Sequence, residues 1–176
     1  MSRSRTISMF AAVMATILGV VLAPASPALA YSGPYQIKFE HSGKCLDLYQ
    51  NKAVDGAKVQ QWTCASPSST NRNHQQWVFE WTSDDGHAQI RKWNTNYCLN
   101  GDGNNGGRVY LWNCGTSMVW KGYKMHGGPP DWYQMTGYGR QVCIDMPHSS
   151  LADGQQPQLW SCVNSSGNQH LTWYPF

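Results

Sequence analysis

Three stretches of this chain repeat one design: CLDLYQNKAVDGAKVQQWTC from Cys45 to Cys64, CLNGDGNNGGRVYLWNC from Cys98 to Cys114, and CIDMPHSSLADGQQPQLWSC from Cys143 to Cys162. Each opens Cys–aliphatic–Asp/Asn, passes through a Gly-containing turn and closes Trp–x–Cys. Trp62, Trp112 and Trp160 are 50 and 48 residues apart, and so are Cys64, Cys114 and Cys162. A fixed period in this range marks a repeat architecture. Propeller blades have similar lengths, but a propeller needs about four or more of them to close. Three units therefore fit a closed threefold β structure.

No apolar stripe recurs at helical spacing, whereas short alternating runs are everywhere. YQIKFE, CLDLY, VQQWTC and QWVFEW make the first unit. AQIRKW, YCLN, VYLWNC and MVWKGY make the second, and WYQMTGY, QVCIDM, PQLWSC and LTWYPF the third. The expectation is all-β: four strands per unit, separated by turn signals such as HSGK, DDGH, NNGG, HGGPPD and GYGR.

Residues 1–30 read as a secretory signal peptide of bacterial type. Arg3 and Arg5 precede the apolar run from Met9 to Leu22, and SPALA ends at Ala30. That run is too short to span a membrane. The rest of the chain, 176 − 30 = 146 residues, suits a single domain from 31 to 176. It holds eleven Lys and Arg against ten Asp and Glu, with no basic cluster, which argues against nucleic acid or an anionic membrane as partner. An exported chain with six Cys reads as disulfide-bonded. One Cys at each end of each unit makes Cys45–Cys64, Cys98–Cys114 and Cys143–Cys162 the simplest pairing.

Residues two apart on a strand share a face. The aliphatic side chains Leu46, Leu48, Leu99, Val109, Leu111, Ile144, Met146 and Leu159 mark the core side. Cys45, Asp47 and Trp62 then fall on the outer face, and so do Cys143, Asp145 and Trp160. An outward carboxylate beside an outward indole matches a saccharide. The C–H face of a sugar ring lies on the aromatic plane, and its hydroxyls donate to the carboxylate. Two plainer roles compete: a tryptophan that only covers the hairpin, and an aspartate that only satisfies backbone N–H groups of a turn. The second tryptophan set, Trp77, Trp120 and Trp173, lies in the most apolar strands and is expected in the core.

Cys–Leu–Asp, then Gly, then Val–Gln–x–Trp–x–Cys, then Gln75–Gln76–Trp77 resembles the ricin-type β-trefoil lectins, including the family-13 carbohydrate-binding modules of secreted bacterial glycosidases. The resemblance covers nearly all of 31–176. It implies a pseudo-threefold β-trefoil, a six-stranded barrel capped by three hairpins, with up to three shallow sugar sites outside. In the first unit it makes Asp47 the sugar-binding aspartate, Trp62 the stacking aromatic, Gln60 an auxiliary polar contact and Gln75 the start of Gln–x–Trp. His74 stands where the family has Asn. In the second unit Asn100 replaces the aspartate and Met118–Trp120 replaces Gln–x–Trp, so that site is expected to be weak or dead. The third keeps Asp145, Gln158 and Trp160. Its last motif aligns Leu171 with the Gln, and Asn168–Gln169 lie two residues out of register.

No catalytic arrangement stands out. Asp84 and Asp85 are adjacent in a turn, whereas a glycosidase needs two carboxylates across a cleft. The six His are dispersed, which offers no zinc spacing, and the cysteines form no C-x-x-C. The reading is a secreted, monomeric, non-catalytic carbohydrate-binding protein that uses neither cofactor nor metal. The alternatives are a trefoil that acts by protein contact, as an inhibitor or toxin component, and a module retained for a structural role in the cell envelope.

Overall fold

In the computed structural model the described residues are 31–82, 85–126, 131–137, 139 and 141–176. The expected signal peptide and Asp84 lie outside them. Among the described residues are twelve strands, one for each alternating run: β1 Tyr31–Phe39, β2 Cys45–Leu48, β3 Val59–Trp62, β4 Trp77–Trp81, β5 His87–Lys92, β6 Tyr97–Gly101, β7 Val109–Asn113, β8 Trp120–His126, β9 Trp132–Gly137, β10 Val142–Asp145, β11 Gln158–Ser161 and β12 His170–Pro175.

β1 pairs with β4, β4 with β5, β5 with β8, β8 with β9, β9 with β12, and β12 returns to β1. This antiparallel ring is a closed barrel, which leaves no exposed sheet edge. The other strands form three hairpins, β2–β3, β6–β7 and β10–β11, hung from β1, β5 and β9. Six barrel strands capped by three hairpins in threefold order make a β-trefoil.

The barrel interior is filled by Ile37, Phe39, Phe79, Ile90, Met135 and Leu171, and the hairpins close it with Leu46, Leu99 and Ile144. The aliphatic residues assigned to the core side are all buried. The hairpins also bind one another in a cycle. Gly56 N–H donates to Leu111 (2.9 Å), Gly106 N–H to Leu159 (2.8 Å) and Gly154 N–H to Gln61 (2.9 Å), with return bonds from Leu111 to Ala57, Leu159 to Gly107 and Gln61 to Gln155. All three glycines have left-handed φ, 75°, 75° and 85°, a conformation costly for residues with a Cβ. Gln61 is buried beneath this junction, where its amide donates to the carbonyls of Ser150 and Ala152.

The three disulfides join Cys45–Cys64, Cys98–Cys114 and Cys143–Cys162, one within each repeat. Each bridges the outer faces of a hairpin.

Candidate carbohydrate-binding site

The hairpin register sets the site. In repeat 1, Cys45 pairs with Trp62 and Asp47 with Gln60. In repeat 3, Cys143 pairs with Trp160 and Asp145 with Gln158. Tryptophan, cystine, aspartate and glutamine thus share one outer face in both repeats. The indoles are 42 % and 45 % exposed at Trp62 and Trp160.

The aspartates differ from expectation. They point to the outer face but do not project into solvent: Asp47 is 3 % and Asp145 4 % exposed. A short 3₁₀ turn folds over each hairpin and roofs the carboxylate, Thr70–Gln75 in repeat 1 and Gly167–Gln169 in repeat 3. Each site is therefore an exposed aromatic wall beside a recessed acceptor.

Around Asp47, Gln60 Nε2 donates to Oδ1 (3.0 Å) and Gln75 Nε2 to Oδ2 (3.2 Å). Gln75 is locked in turn: its Nε2 also reaches Thr63 O, and its Oε1 accepts from Ala65 N–H and Gln36 Nε2. His74 Nδ1 lies 4.0 Å from Asp47 Oδ2, too far for a hydrogen bond. A carboxylate has about four lone-pair positions, so acceptor capacity remains. Burial raises the pKa of Asp47 above 3.8, while the hydrogen bonds from Gln60 and Gln75 pull the other way.

Asp145 has the same cradle with one more donor. Gln158 Nε2 donates to Oδ1 (2.8 Å), and Asn168 Nδ2 (2.5 Å) and Gln169 Nε2 (3.2 Å) to Oδ2. Gln169 also reaches Ser161 O and accepts from Val163 N–H and Gln134 Nε2, bond for bond the pattern of Gln75. This corrects the motif alignment. Gln169, not Leu171, takes the Gln position, and Leu171 takes the place of Trp77 in the barrel. The register agrees: Tyr35 pairs with Trp77 and Tyr133 with Leu171. Gln75 follows its cysteine by 75 − 64 = 11 residues and Gln169 by 169 − 162 = 7. Counting from the cysteine to the first Gln–x–apolar triplet would have found it. Trp173 is then only half-buried, packed on Phe79 and Tyr133, unlike the fully buried Trp77 and Trp120.

The repeat-3 face borders an open cleft of about 480 Å3 lined by Asp145, His148, Ser149, Gln158, Trp160, Val163, Ser166, Asn168 and Gln169. That volume falls within the range of small-molecule sites, roughly 300–1,000 Å3. His148 and Ser149 carry left-handed φ of 55° and 48°, as do Gln50 and Asn51 at the matching place in repeat 1, 55° and 52°. Non-glycine residues adopt this conformation at a cost of about 1–3 kcal/mol each. No local pattern in the chain marks His148, because the turn that places it depends on that backbone conformation. The tip of a neighbouring hairpin stands beside each exposed indole: a Cβ on Gly154 would lie 3.8 Å from Trp62, and one on Gly106 would lie 3.9 Å from Trp160.

Repeat 2 lacks the carboxylate. Asn100 Oδ1 accepts from Met118 N–H (2.9 Å), and its amide donates to Tyr110 Oη (3.3 Å). Tyr110 takes the place of Gln60, stands edge-on to Trp112 and carries the Arg108 guanidinium over its ring. The amide is thus occupied from both ends. Among the described residues no group of three or more His, Cys, Asp or Glu is arranged to hold a metal ion.

A barrel with capping hairpins and acceptor–aromatic faces defines a lectin-type trefoil. A family model of the ricin-type β-trefoil lectin domain-like proteins matches residues 28–112 and 73–160, and the chain belongs to that family. Solved structures share the fold at low identity. The agglutinin of Rhizoctonia solani is 19 % identical with a TM-score of 0.68, over 88 % of this chain and 100 % of that one. The ricin B-like lectin of Macrolepiota procera, solved with lactose, is 19 % identical with a TM-score of 0.65, over 82 % and 97 %. The exo-β-1,3-galactanase 1,3Gal43A of Clostridium thermocellum is 23 % identical with a TM-score of 0.69, over 82 % of this chain and 30 % of the enzyme. No curated protein sequence matches the chain.

Proposed function

We propose that the protein is a secreted, non-catalytic, monomeric lectin that binds glycans at two shallow sites. One is built from Asp47, Gln60, Trp62, His74 and Gln75. The other is built from Asp145, Gln158 and Trp160, with Asn168 and Gln169. The observation that carries this reading is the repeated pairing of an exposed indole with a recessed, multiply hydrogen-bonded carboxylate on one hairpin face. The indole offers a rigid apolar platform for a sugar ring. The carboxylate, fixed in place by its glutamines, accepts the sugar hydroxyls without reorganising.

Membership of a lectin-type family supports the reading, as does the lactose bound to the Macrolepiota lectin of the same fold. The repeat-3 cavity is lined by one carboxylate, whereas glycoside hydrolysis in its usual form employs two. Disulfides in each repeat suit an oxidising compartment. A single shallow site should bind with a Kd of about 1 mM, near −4 kcal/mol.

The test is titration with a panel of neutral glycans and insoluble polysaccharides, read by tryptophan fluorescence and by retention on the polymer. Trp160→Ala should remove the fluorescence response of the repeat-3 site while the far-UV spectrum stays that of the parent. Glycan binding undiminished in both Trp62→Ala and Trp160→Ala would refute the assignment.

A further inference from the structure

A second kind of cavity, of about 490 Å3, lies beside repeat 1. Its walls include Asn51, Arg72, Asn73, Lys92, Trp93 and Asn94, and no carboxylate lines it among the described residues. Lys92 is 2 % exposed. Its Nζ donates to the carbonyls of Asn73 (2.5 Å) and Gln76 (3.2 Å), which uses two of its three N–H groups. Arg72 Nη1 donates to Pro67 O (2.8 Å) and its guanidinium lies over the Phe176 ring, while Nε is buried and has no acceptor among the described residues.

Two cations therefore share one concave wall without an acid in it. A buried cation is costly unless an anion compensates it. The acid whose field reaches Lys92 is Asp47, which belongs to the saccharide face. Burial holds Lys92 at a pKa of about 8 against the opposing field of Asp47, and its ammonium lies 5.8 Å from the centre of the buried Trp77 ring. The Arg72 guanidinium lines the cavity as a cation suited to a carboxylate, and the half-buried indole of Trp93 adds an apolar wall for a ring. The cavity is also tied to the repeat-1 site through the chain. Asn51 ends the turn that begins just after Leu48, and Asn73 and Gln76 flank His74 and Gln75.

We propose that this cavity is an acid-selective subsite that takes a uronic acid residue, its carboxylate held by Arg72 and Lys92 and its ring set against Trp93. The saccharide part of this assignment rests on the lectin reading of repeat 1; the anionic part rests on the cavity itself. The protein accordingly selects acidic over neutral glycans.

The experiment compares sodium glucuronate, glucose and sodium sulfate by isothermal titration of the whole protein, with Lys92 Nζ followed by NMR. Glucuronate should bind about tenfold or more tightly than glucose, because its contacts are charge-assisted. It should also raise the Lys92 pKa. Arg72→Gln and Lys92→Met should each remove the acid's advantage; should Lys92→Met fail to fold, Arg72→Gln and the Lys92 titration of the unaltered protein decide. Equal affinity for glucuronate and glucose, or an advantage that survives Arg72→Gln, overturns the proposal. Sulfate bound as tightly as glucuronate overturns the uronate assignment in favour of a simple anion hole. If neutral glycans bind at Trp62 but glucuronate shows no preference, the subsite fails alone. If glucuronate binds here and no neutral glycan binds anywhere, the lectin reading of repeats 1 and 3 fails, the saccharide part of the assignment falls with it, and the anion-binding part stands.

Discussion

Asp47 carries its charge where burial opposes it. Its folded-state pKa lies above the ordinary 3.8, so the folded state holds the proton more tightly than the unfolded chain does. The stability this contributes is complete below the unfolded pKa and is lost as pH rises through the folded value. Ionised Asp47 thus costs stability at neutral pH. Asp47→Asn should raise the urea midpoint at pH 7 and abolish glycan binding at repeat 1. The amide is accommodated because Gln60 can turn its own oxygen toward it, whereas Gln75 is held at both ends. An unchanged or lower midpoint at pH 7 would contradict the burial argument. His74 is the other residue with a readable consequence. It stands where Asn168 donates to Asp145, yet reaches no closer than 4.0 Å to Asp47. His74→Asn supplies the missing donor and should tighten the repeat-1 site by roughly two- to tenfold, the worth of one hydrogen bond, as measured by fluorescence titration.

At the level of the element, each hairpin is fixed to the barrel by what fills the corner beneath it. Trp77 and Trp120 are buried, and their indole N–H groups donate to the carbonyls of Leu46 (2.9 Å) and Leu99 (3.0 Å). Each indole ties a barrel strand to the adjoining hairpin. Leu171 fills the corresponding place in repeat 3 and has no N–H to offer. Trp77→Phe should destabilise the fold by about 1–3 kcal/mol, since it leaves the Leu46 carbonyl buried without its donor. Leu171→Met, which alters shape but no hydrogen bond, should cost less than about 1.5 kcal/mol. Urea unfolding of both variants checks the contrast. The strands themselves were legible in the chain because alternation maps directly onto the two faces of a sheet. The 3₁₀ turns Thr70–Gln75 and Gly167–Gln169 were not, because polar segments of six and three residues carry no period.

Over the whole molecule, the cyclic bonding of the hairpin tips makes three repeats one rigid body. The two proposed glycan faces are then held at a fixed separation and would engage one polymer together, where the second contact gains from effective concentration. On a polysaccharide that the protein retains, Trp62→Ala and Trp160→Ala should each weaken retention by about a hundredfold, and the double variant should not be retained. Trp112→Ala should change retention little, because the Asn100 amide is occupied by Met118 and Tyr110. Retention lost fully in either single variant, with no further loss in the double, would show that the two faces do not act together.

The chain alone determined the threefold repeat, the twelve strands, the pairing of the cysteines and the outward face of Trp62 and Trp160. The strands and their faces follow from local alternation, which a strand converts into direction without help from distant residues, and the cysteine pairing follows from the recurrence of the unit. The depth of Asp47 and Asp145, the equivalence of Gln169 with Gln75 and the cation-lined cavity were decided only by the tertiary structure. Each depends on where a turn of irregular length comes to rest on a hairpin, and that position is set by the buried hydrogen bonds it makes on arrival.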